Sequence, residues 1–356
     1  MKHIKICLIF VVMMLLLAAC GGDNSGQQST PTAAAAPVNG FGVAANHVHS
    51  MLVLPSQVLV LATHYGIFRS QDNGATWQQV TGGAGQLMQG LMEYTMTASP
   101  LNPQRLFVLA EPALPGYKGT PGLYTSADEG RTWKLSVADS TISTGYPFAS
   151  AAGNDSPDEV YIFLNELGFQ GLKRSLDDGQ HFSSTGPLPS SFDVISGIFV
   201  VPGEPGHLFV YGSSGIASST DGGIHWRVVP GINYGVQDMV TAGANMPIYA
   251  SGDQGIYSST DGGKSFKLVY TQASYSALAV TSQQPLVIYG KASTTTYRSS
   301  NGGKTWSALP HISGNLAVLA VVPNHPSQVY LSLSYPTEMY MLNSTGTGWT
   351  SLTPPA

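Results

Sequence analysis

The strongest constraint on this chain is a short phrase that returns seven times along it. Its clearest copy, residues 255–266, reads G-I-Y-S-S-T-D-G-G-K-S-F. In six copies a serine stands two residues before the acid or amide, at positions 70, 126, 175, 219, 259 and 299. The intervals between these serines are 56, 49, 44, 40 and 40 residues. A repeat of roughly 40–45 residues built from short strands is typical of propeller blades.

Each copy carries the local signals of a β-hairpin turn between two apolar runs. The carboxylate can accept hydrogen bonds from backbone N–H groups farther along the turn, and the glycine supplies a positive φ at low cost. The aromatic residue restarts the second strand. We therefore predict a structural role for the acid or amide of six copies: Asp72, Asp128, Asp177, Asp221, Asp261 and Asn301. The seventh copy, at 343–349, has degenerated.

Two further apolar runs precede the phrase in each repeat, for example at 278–280 and 285–289. One such unit cannot bury both faces of its sheet, so neighbouring units must stack around an axis. The sequence predicts an all-β domain at 46–356, a single seven-bladed β-propeller with four antiparallel strands per blade. The repeated turn is expected between the third and fourth strands.

The phrase S-x-D-x-G-x-x-(Trp/Phe) resembles the Asp-box (BNR) repeat of sialidases, sortilin-type receptors, xyloglucanases and photosystem II assembly factors. The resemblance rests on the boxes alone, over residues ~46–352. In those families the box joins the third and fourth strands away from the active face, which implies a structural role here. The size of one propeller is most similar to the assembly-factor family, but the resemblance implies no particular partner.

Residues 1–20 predict a lipoprotein signal peptide. Lys2 and Lys5 precede an apolar run at 6–17 that is short for a membrane span. The sequence Leu-Ala-Ala-Cys-Gly ending at 21 resembles a bacterial lipobox, which implies cleavage before Cys20 and lipid on its thiol. An ordinary signal peptide is the alternative. Residues 21–45 predict a flexible Gly/Ser/Pro/Ala linker, so we expect a membrane lipoprotein on the extracytoplasmic face.

Composition excludes several function classes. The chain has 15 basic and 20 acidic residues, and loss of Lys2 and Lys5 with the signal leaves 13 − 20 = −7. No basic stripe is present, so we expect no nucleic-acid partner. With Cys7 in the signal, Cys20 has no partner for an internal disulfide. No nucleotide fingerprint or nucleophile elbow is found, and we expect a monomer without a cofactor.

Aromatic residues in the loops opposite the repeated turns are the candidate ligand contacts. Such rings can stack on sugars or grip a peptide, although tyrosine is also a common residue at strand ends. The candidates are Tyr65, Tyr117, Tyr146, Phe169, Tyr234 and Tyr335. The leading interpretation is a non-catalytic binding or assembly module for a protein or glycan ligand.

A glycoside hydrolase is the alternative interpretation. Such an enzyme needs two carboxylates ~5–9.5 Å apart. Weak catalytic candidates are Glu111, Glu166 and Asp253, with Asp238 and Glu338 in similar loops. A true sialidase is not expected, because it would need three arginines converging on a carboxylate. Five of the six arginines lie in or beside the repeated turns, and Arg105 alone lies elsewhere.

Three histidines are candidate metal ligands. His47 and His49 fall on one side of a strand, and His64 follows in the same repeat. A metal site wants a third or fourth ligand at close range, and no cysteine or acid is near in sequence. The sequence therefore favours edge or channel-lining histidines and predicts no metal site.

Overall fold

The computed structural model describes residues 46–113, 116–142, 147–164, 171–192, 194–232, 234–271, 273–322 and 325–353. The predicted signal peptide, Cys20 and the predicted linker lie outside these ranges, as do Tyr146, Glu166 and Phe169. Within them the chain forms 28 strands and one short helix, α1 (Asp139–Ile142). None of the helical structure in these ranges has the length and apolar character needed to cross a membrane.

The strands form seven antiparallel sheets, each built from four consecutive strands. Blade 1 contains β1 (Val48–Val53), β2 (Leu59–Thr63), β3 (Gly66–Ser70) and β4 (Gln78–Gln79). Blade 2 contains β5 (Leu91–Ala98), β6 (Leu106–Pro112), β7 (Gly122–Ser126) and β8 (Lys134–Ala138). Blade 3 contains β9 (Pro147–Ala152), β10 (Val160–Leu164), β11 (Gly171–Ser175) and β12 (Ser183–Ser184).

The remaining sixteen strands repeat this order. Blade 4 contains β13 (Gly197–Val200), β14 (Leu208–Gly212), β15 (Gly215–Ser219) and β16 (Arg227–Val228). Blade 5 contains β17 (Val236–Thr241), β18 (Ile248–Gly252), β19 (Gly255–Ser259) and β20 (Lys267–Tyr270). Blade 6 contains β21 (Ala277–Val280), β22 (Ile288–Ala292), β23 (Thr295–Ser299) and β24 (Ser307–Ala308). Blade 7 contains β25 (Asn315–Val322), β26 (His325–Ser334), β27 (Glu338–Leu342) and β28 (Trp349–Ser351). The predicted all-β, seven-bladed propeller is confirmed.

The hydrophobic core lies between the blades. Alternate residues of a strand point to opposite faces of its sheet, so each blade supplies side chains to two neighbours. In β2, Leu59 and Leu61 pack towards blade 7, whereas Val60 and Ala62 pack towards blade 2. Seven apolar clusters result, one for each pair of neighbouring blades.

Blade 7 packs directly against blade 1 and closes the ring. Tyr330 and Met339 share an apolar cluster with Met51 and Phe68. The indole N–H of Trp77 donates to the carbonyl of Leu352 at 3.2 Å. Each described blade keeps its own four strands, so closure depends on packing between the first and last blades and involves no strand exchange among the described residues.

The antiparallel order assigns every loop to one end of a blade. We call the end with the first-to-second and third-to-fourth strand connections the turn face. The opposite end carries the second-to-third connections and the links between blades, and we call it the loop face. The repeated phrase therefore runs along the third strand to the turn face, where its acid and glycines form the turn before the fourth strand.

Six repeated turns share one hydrogen-bond pattern. The serine hydroxyl donates to the acid or amide oxygen at 2.7–3.0 Å, and the glycine N–H donates to the serine oxygen at 2.8–3.0 Å. The residue four positions after the acid or amide donates its own N–H to the same oxygen, at 2.8–3.0 Å. These bonds satisfy the turn internally, which leaves the carboxylates engaged within the scaffold.

Candidate functional site

Aromatic side chains are exposed at several points of the loop face. Tyr117, in the loop after β6, and Tyr335, in the loop after β26, are 44% and 52% exposed. Tyr234, just before β17, is 52% exposed, and Tyr65, between β2 and β3, is half-buried. The four described candidates therefore share one face but belong to different blades. Tyr146 and Phe169 lie outside the described residues.

Three imidazoles meet at the start of blade 1. His47 and His49 lie two residues apart at β1, and the turn after β2 brings His64 to them through a bond from its N–H to the His47 carbonyl at 3.1 Å. The ring centroids of His47 lie 4.3 Å from His49 and 3.9 Å from His64. One nitrogen from each ring lies within 4.8 Å of the other two. We call His47, His49 and His64 the histidine cluster.

Neighbouring blades enclose the histidine cluster. Tyr335 of blade 7 stacks on His47, with centroids 4.8 Å apart, and Tyr94 of blade 2 lies 5.3 Å from His49. Met92 of blade 2 places its sulfur 3.1 Å from Nε2 of His64. The cluster thus sits where blades 7, 1 and 2 meet, beneath an exposed tyrosine.

Burial keeps two of these rings neutral. It lowers the pKa of His47, and it lowers the pKa of His49 to about 3, with repulsion from His47 and His64 as the smaller cause. Desolvation opposes the charged imidazolium, and neighbouring imidazoles add to that effect. At neutral pH these rings therefore present unprotonated nitrogen, the form that coordinates metals.

A second group of polar side chains lies on blade 5. Tyr234 and Asp253 are close enough to Tyr257 to raise its pKa, although burial is the larger cause. The N–H of Asp253 donates to the carbonyl of Gly235 at 3.2 Å, which fixes this loop beside Tyr234. An exposed ring and an acid therefore stand together here, away from the histidine cluster.

The described catalytic candidates belong to different blades. Glu111 lies near the end of β6 in blade 2, whereas Asp253 lies in blade 5, with blades 3 and 4 between them along the ring. Glu166 lies outside the described residues. Glu338, a candidate of the same kind, accepts a hydrogen bond from the hydroxyl of Tyr340 at 2.7 Å.

The carboxylate of Asp238 is held by backbone hydrogen bonds. Burial raises its pKa to about 6, and its carboxylate accepts backbone N–H bonds from Met239 and Leu278, both at 2.8 Å. It borders a cavity of about 450 Å³ along the inner strands, together with Tyr211 and Met96. Because Leu278 belongs to blade 6, the carboxylate joins two blades at this cavity.

The arginines are held on the turn side of the ring. Arg69 donates to the carbonyl of Glu129 at 2.9 Å, and Arg105 pairs with Asp158 at 2.9 Å. Arg174 pairs with Glu159 and Asp155. Arg131 and Arg227 belong to, or directly follow, the repeated turns, and Arg298 donates to Tyr289 at 3.2 Å near the end of β23. No arginine triad is therefore assembled on the described loop face.

Sequence reasoning missed two contributors. Met92 and Tyr94 reach the histidine cluster from blade 2, and nothing in the local sequence links them to His64 or His49. A further contributor lies in the repeated turns. The fourth residue after each acid recurs as Thr, Ser or His, and this recurrence is a signal visible in the sequence. Its side chain bonds the second oxygen of the acid at 2.6–2.7 Å in five turns.

Comparisons with known proteins agree with the fold. No family model matches the sequence. A stretch of 164 residues, 38% of this chain, is 25% identical to the xyloglucanase Xgh74A of Acetivibrio thermocellus and covers 20% of that enzyme. A GH74 enzyme from Niastella koreensis superposes with a TM-score of 0.69 at 15% identity, over 87% of this chain and 54% of that one.

A second solved propeller is matched over nearly its whole length. YCF48 bound to a D1 peptide superposes with a TM-score of 0.58 at 14% identity, over 80% of this chain and 89% of that one. This chain thus spans about a fifth of the curated xyloglucanase and about half of the solved GH74 enzyme. These structural likenesses concern the fold alone.

Proposed function

We propose that this protein is a non-catalytic binding module whose loop face holds a protein or glycan ligand. The observation that carries the proposal is the exposure of Tyr117, Tyr234 and Tyr335 on that one face. Exposing the apolar surface of large rings to water is unfavourable. A rigid scaffold that presents such rings from its loops is therefore suited to recognition of a ligand. Tyrosine adds a hydroxyl that can hydrogen-bond at the rim of a contact.

The distribution of charge supports the same function. Arg69, Arg105 and Arg174 are paired with acids on the turn side, so these three guanidinium groups are engaged within the scaffold. The loop face keeps aromatic rings exposed. YCF48, which superposes on this chain with a TM-score of 0.58, is seen with a peptide, and this supports a peptide as one class of ligand.

The test compares loop-face and turn-face variants of the full chain. A triple variant with Tyr117→Ala, Tyr234→Ala and Tyr335→Ala is expected to lose at least ~10-fold in affinity for ligands retained from glycan arrays and membrane extracts. Leu176→Ala is the matched control, since Leu176 is 55% exposed on the turn face. Equal retention by the triple variant and the parent would contradict the proposal.

A glycoside hydrolase is the second candidate, favoured by the sequence match to a xyloglucanase. The experiment is release of reducing ends from xyloglucan and related β-glucans by the full chain. Glu111→Gln and Asp253→Asn then test the two described candidates. Hydrolysis by the parent that either variant abolishes would replace the binding function with an enzymatic one.

Anchoring through Cys20 is part of the proposal. A lipid on this thiol and the linker at 21–45 would place the propeller near the outer surface of the cell membrane. Cys20→Ser is expected to move the protein from the membrane fraction to the soluble fraction. A variant that stays with the membranes would argue against the lipobox.

A further inference from the structure

The histidine cluster has the arrangement of an incomplete metal shell. His47 directly precedes β1 and His49 lies in it, and β2 pairs with β1 so that His64 returns beside them. The three ligand nitrogens lie within 4.8 Å of one another. Tetrahedral Zn²⁺ with imidazole bonds of 2.0–2.1 Å sets nitrogens about 3.3 Å apart. Small side-chain rotations would therefore close the cluster around one ion.

Two ring nitrogens of this cluster lack the hydrogen bond that their burial demands. Nδ1 of His47 and Nε2 of His49 are enclosed and have no partner within the part of the chain that the structure describes. Burying a polar atom without a hydrogen-bond partner is energetically unfavourable. Coordination of a cation by the lone pairs of these two nitrogens would explain why both are buried without a hydrogen bond.

The side chains at the histidine cluster indicate which class of cation it would bind. The cluster offers imidazole nitrogen, with the Met92 thioether 3.1 Å from Nε2 of His64. Imidazole and thioether ligands suit zinc and copper, whereas Mg²⁺ and Ca²⁺ prefer oxygen. Tyr335 and Tyr94 flank the rings and limit their freedom to turn away.

We propose that His47, His49 and His64 form a binding site for one Zn²⁺ or Cu²⁺ ion at the junction of blades 7, 1 and 2. Three protein ligands leave a fourth coordination position for water or for a group of a bound ligand. The site goes beyond the proposed binding function and does not depend on it, because the test uses the metal alone.

The test measures metal binding by the full, untagged chain in a Cys7→Ser, Cys20→Ser background, which removes competing thiols. Equilibrium dialysis against ZnCl₂ or CuCl₂ is expected to give one tightly bound ion per chain, and MgCl₂ is expected to give none. His49→Ala and His64→Gln should each weaken binding by roughly 100-fold, since each removes one of three ligands. His225→Ala is the control, because His225 is exposed in a turn-face loop.

A spectroscopic readout separates loss of ligands from loss of fold. The Cu²⁺-loaded parent is expected to show electron paramagnetic resonance splitting from imidazole nitrogens, with fewer coupled nitrogens in His64→Gln. Circular dichroism establishes that each variant is folded, and the parent spectrum stands even if one variant is not. No stoichiometric metal in the parent, or parental affinity in both folded variants, would overturn the site.

Discussion

The two ends of the propeller use polar residues in opposite ways. On the turn face, Asp72 and its equivalents have both oxygens bonded inside their own turns, and Arg69 and Arg105 pair with neighbouring blades. On the loop face, buried nitrogens of His47 and His49 lack partners among the described residues, and aromatic rings are exposed. The contrast lies between acids of the repeated turns, which are bonded within their own turns, and a cluster of imidazoles and exposed rings at the opposite end.

Glycine packing on the turn face gives the largest expected effect. Gly263 has a φ of +75°, and an added Cβ would lie 2.2 Å from Cζ of Phe209 in the preceding blade. Gly263→Ala should therefore combine overpacking with left-handed strain and reduce the free energy of unfolding by about 4 kcal/mol. Urea-induced unfolding provides the measurement.

A neighbouring glycine supplies the control for that substitution. Gly262 has a similar φ of +72°, but an added Cβ would meet nothing within 4 Å. Gly262→Ala should cost only the backbone strain, about 1–2 kcal/mol. Equal losses at the two positions would show that the close approach between blades is unimportant to the scaffold.

A buried acid at the loop end should make stability depend on pH. Asp139 is 6% exposed and begins α1, and both of its carboxylate oxygens lack a partner in the described ranges. Burial raises its pKa to about 7. Its folded-state pKa lies above the unfolded value, so its contribution is fully present below about pH 4 and is lost as the pH rises through about 7.

Neutralising that acid should reverse the loss. Asp139→Asn is expected to be more stable than the parent by about 2–3 kcal/mol at pH 8, with a much smaller difference at pH 4. Asp253→Asn is the control, since Asp253 is exposed on the same face. Parallel stability–pH curves for the parent and Asp139→Asn would refute the unpaired-charge argument.

The same contrast explains what sequence could predict. The phrase around Asp221 or Asp261 is local, because its bonds join residues within four positions, so the repeat and the fold could be predicted from the sequence. The histidine cluster depends on contacts from Tyr94 and Tyr335, which lie in the blades on either side. Ring closure likewise joins Trp77 to Leu352 across 275 residues. Local sequence patterns carry no information on contacts between distant segments. For the same reason they do not show that Glu111 and Asp253 lie in blades 2 and 5.

The smallest expected effect concerns a single oxygen of a repeated turn. Hydrogen bonds, first from the hydroxyl of Ser265, lower the pKa of Asp261, so its contribution is present above the unfolded value and is lost as the pH falls through the folded one. Asn301 naturally replaces the acid in the sixth turn, where its amide donates to Thr305 at 2.8 Å. Asp261→Ala should cost about 1–2 kcal/mol at pH 7.

Exchange between these two turns isolates the charge from the hydrogen bonds. Asp261→Asn should cost less than Asp261→Ala, under about 1 kcal/mol at pH 7, because an amide can keep the bonds from the serine hydroxyl and the backbone. Its deficit should shrink as the pH falls below 4, whereas Asn301→Asp should gain acid sensitivity. Thermal unfolding from pH 2 to pH 7 measures both. If the exchange instead altered ligand binding while leaving the melting temperature unchanged, the turn face would be a recognition surface and the division between the two ends would fail.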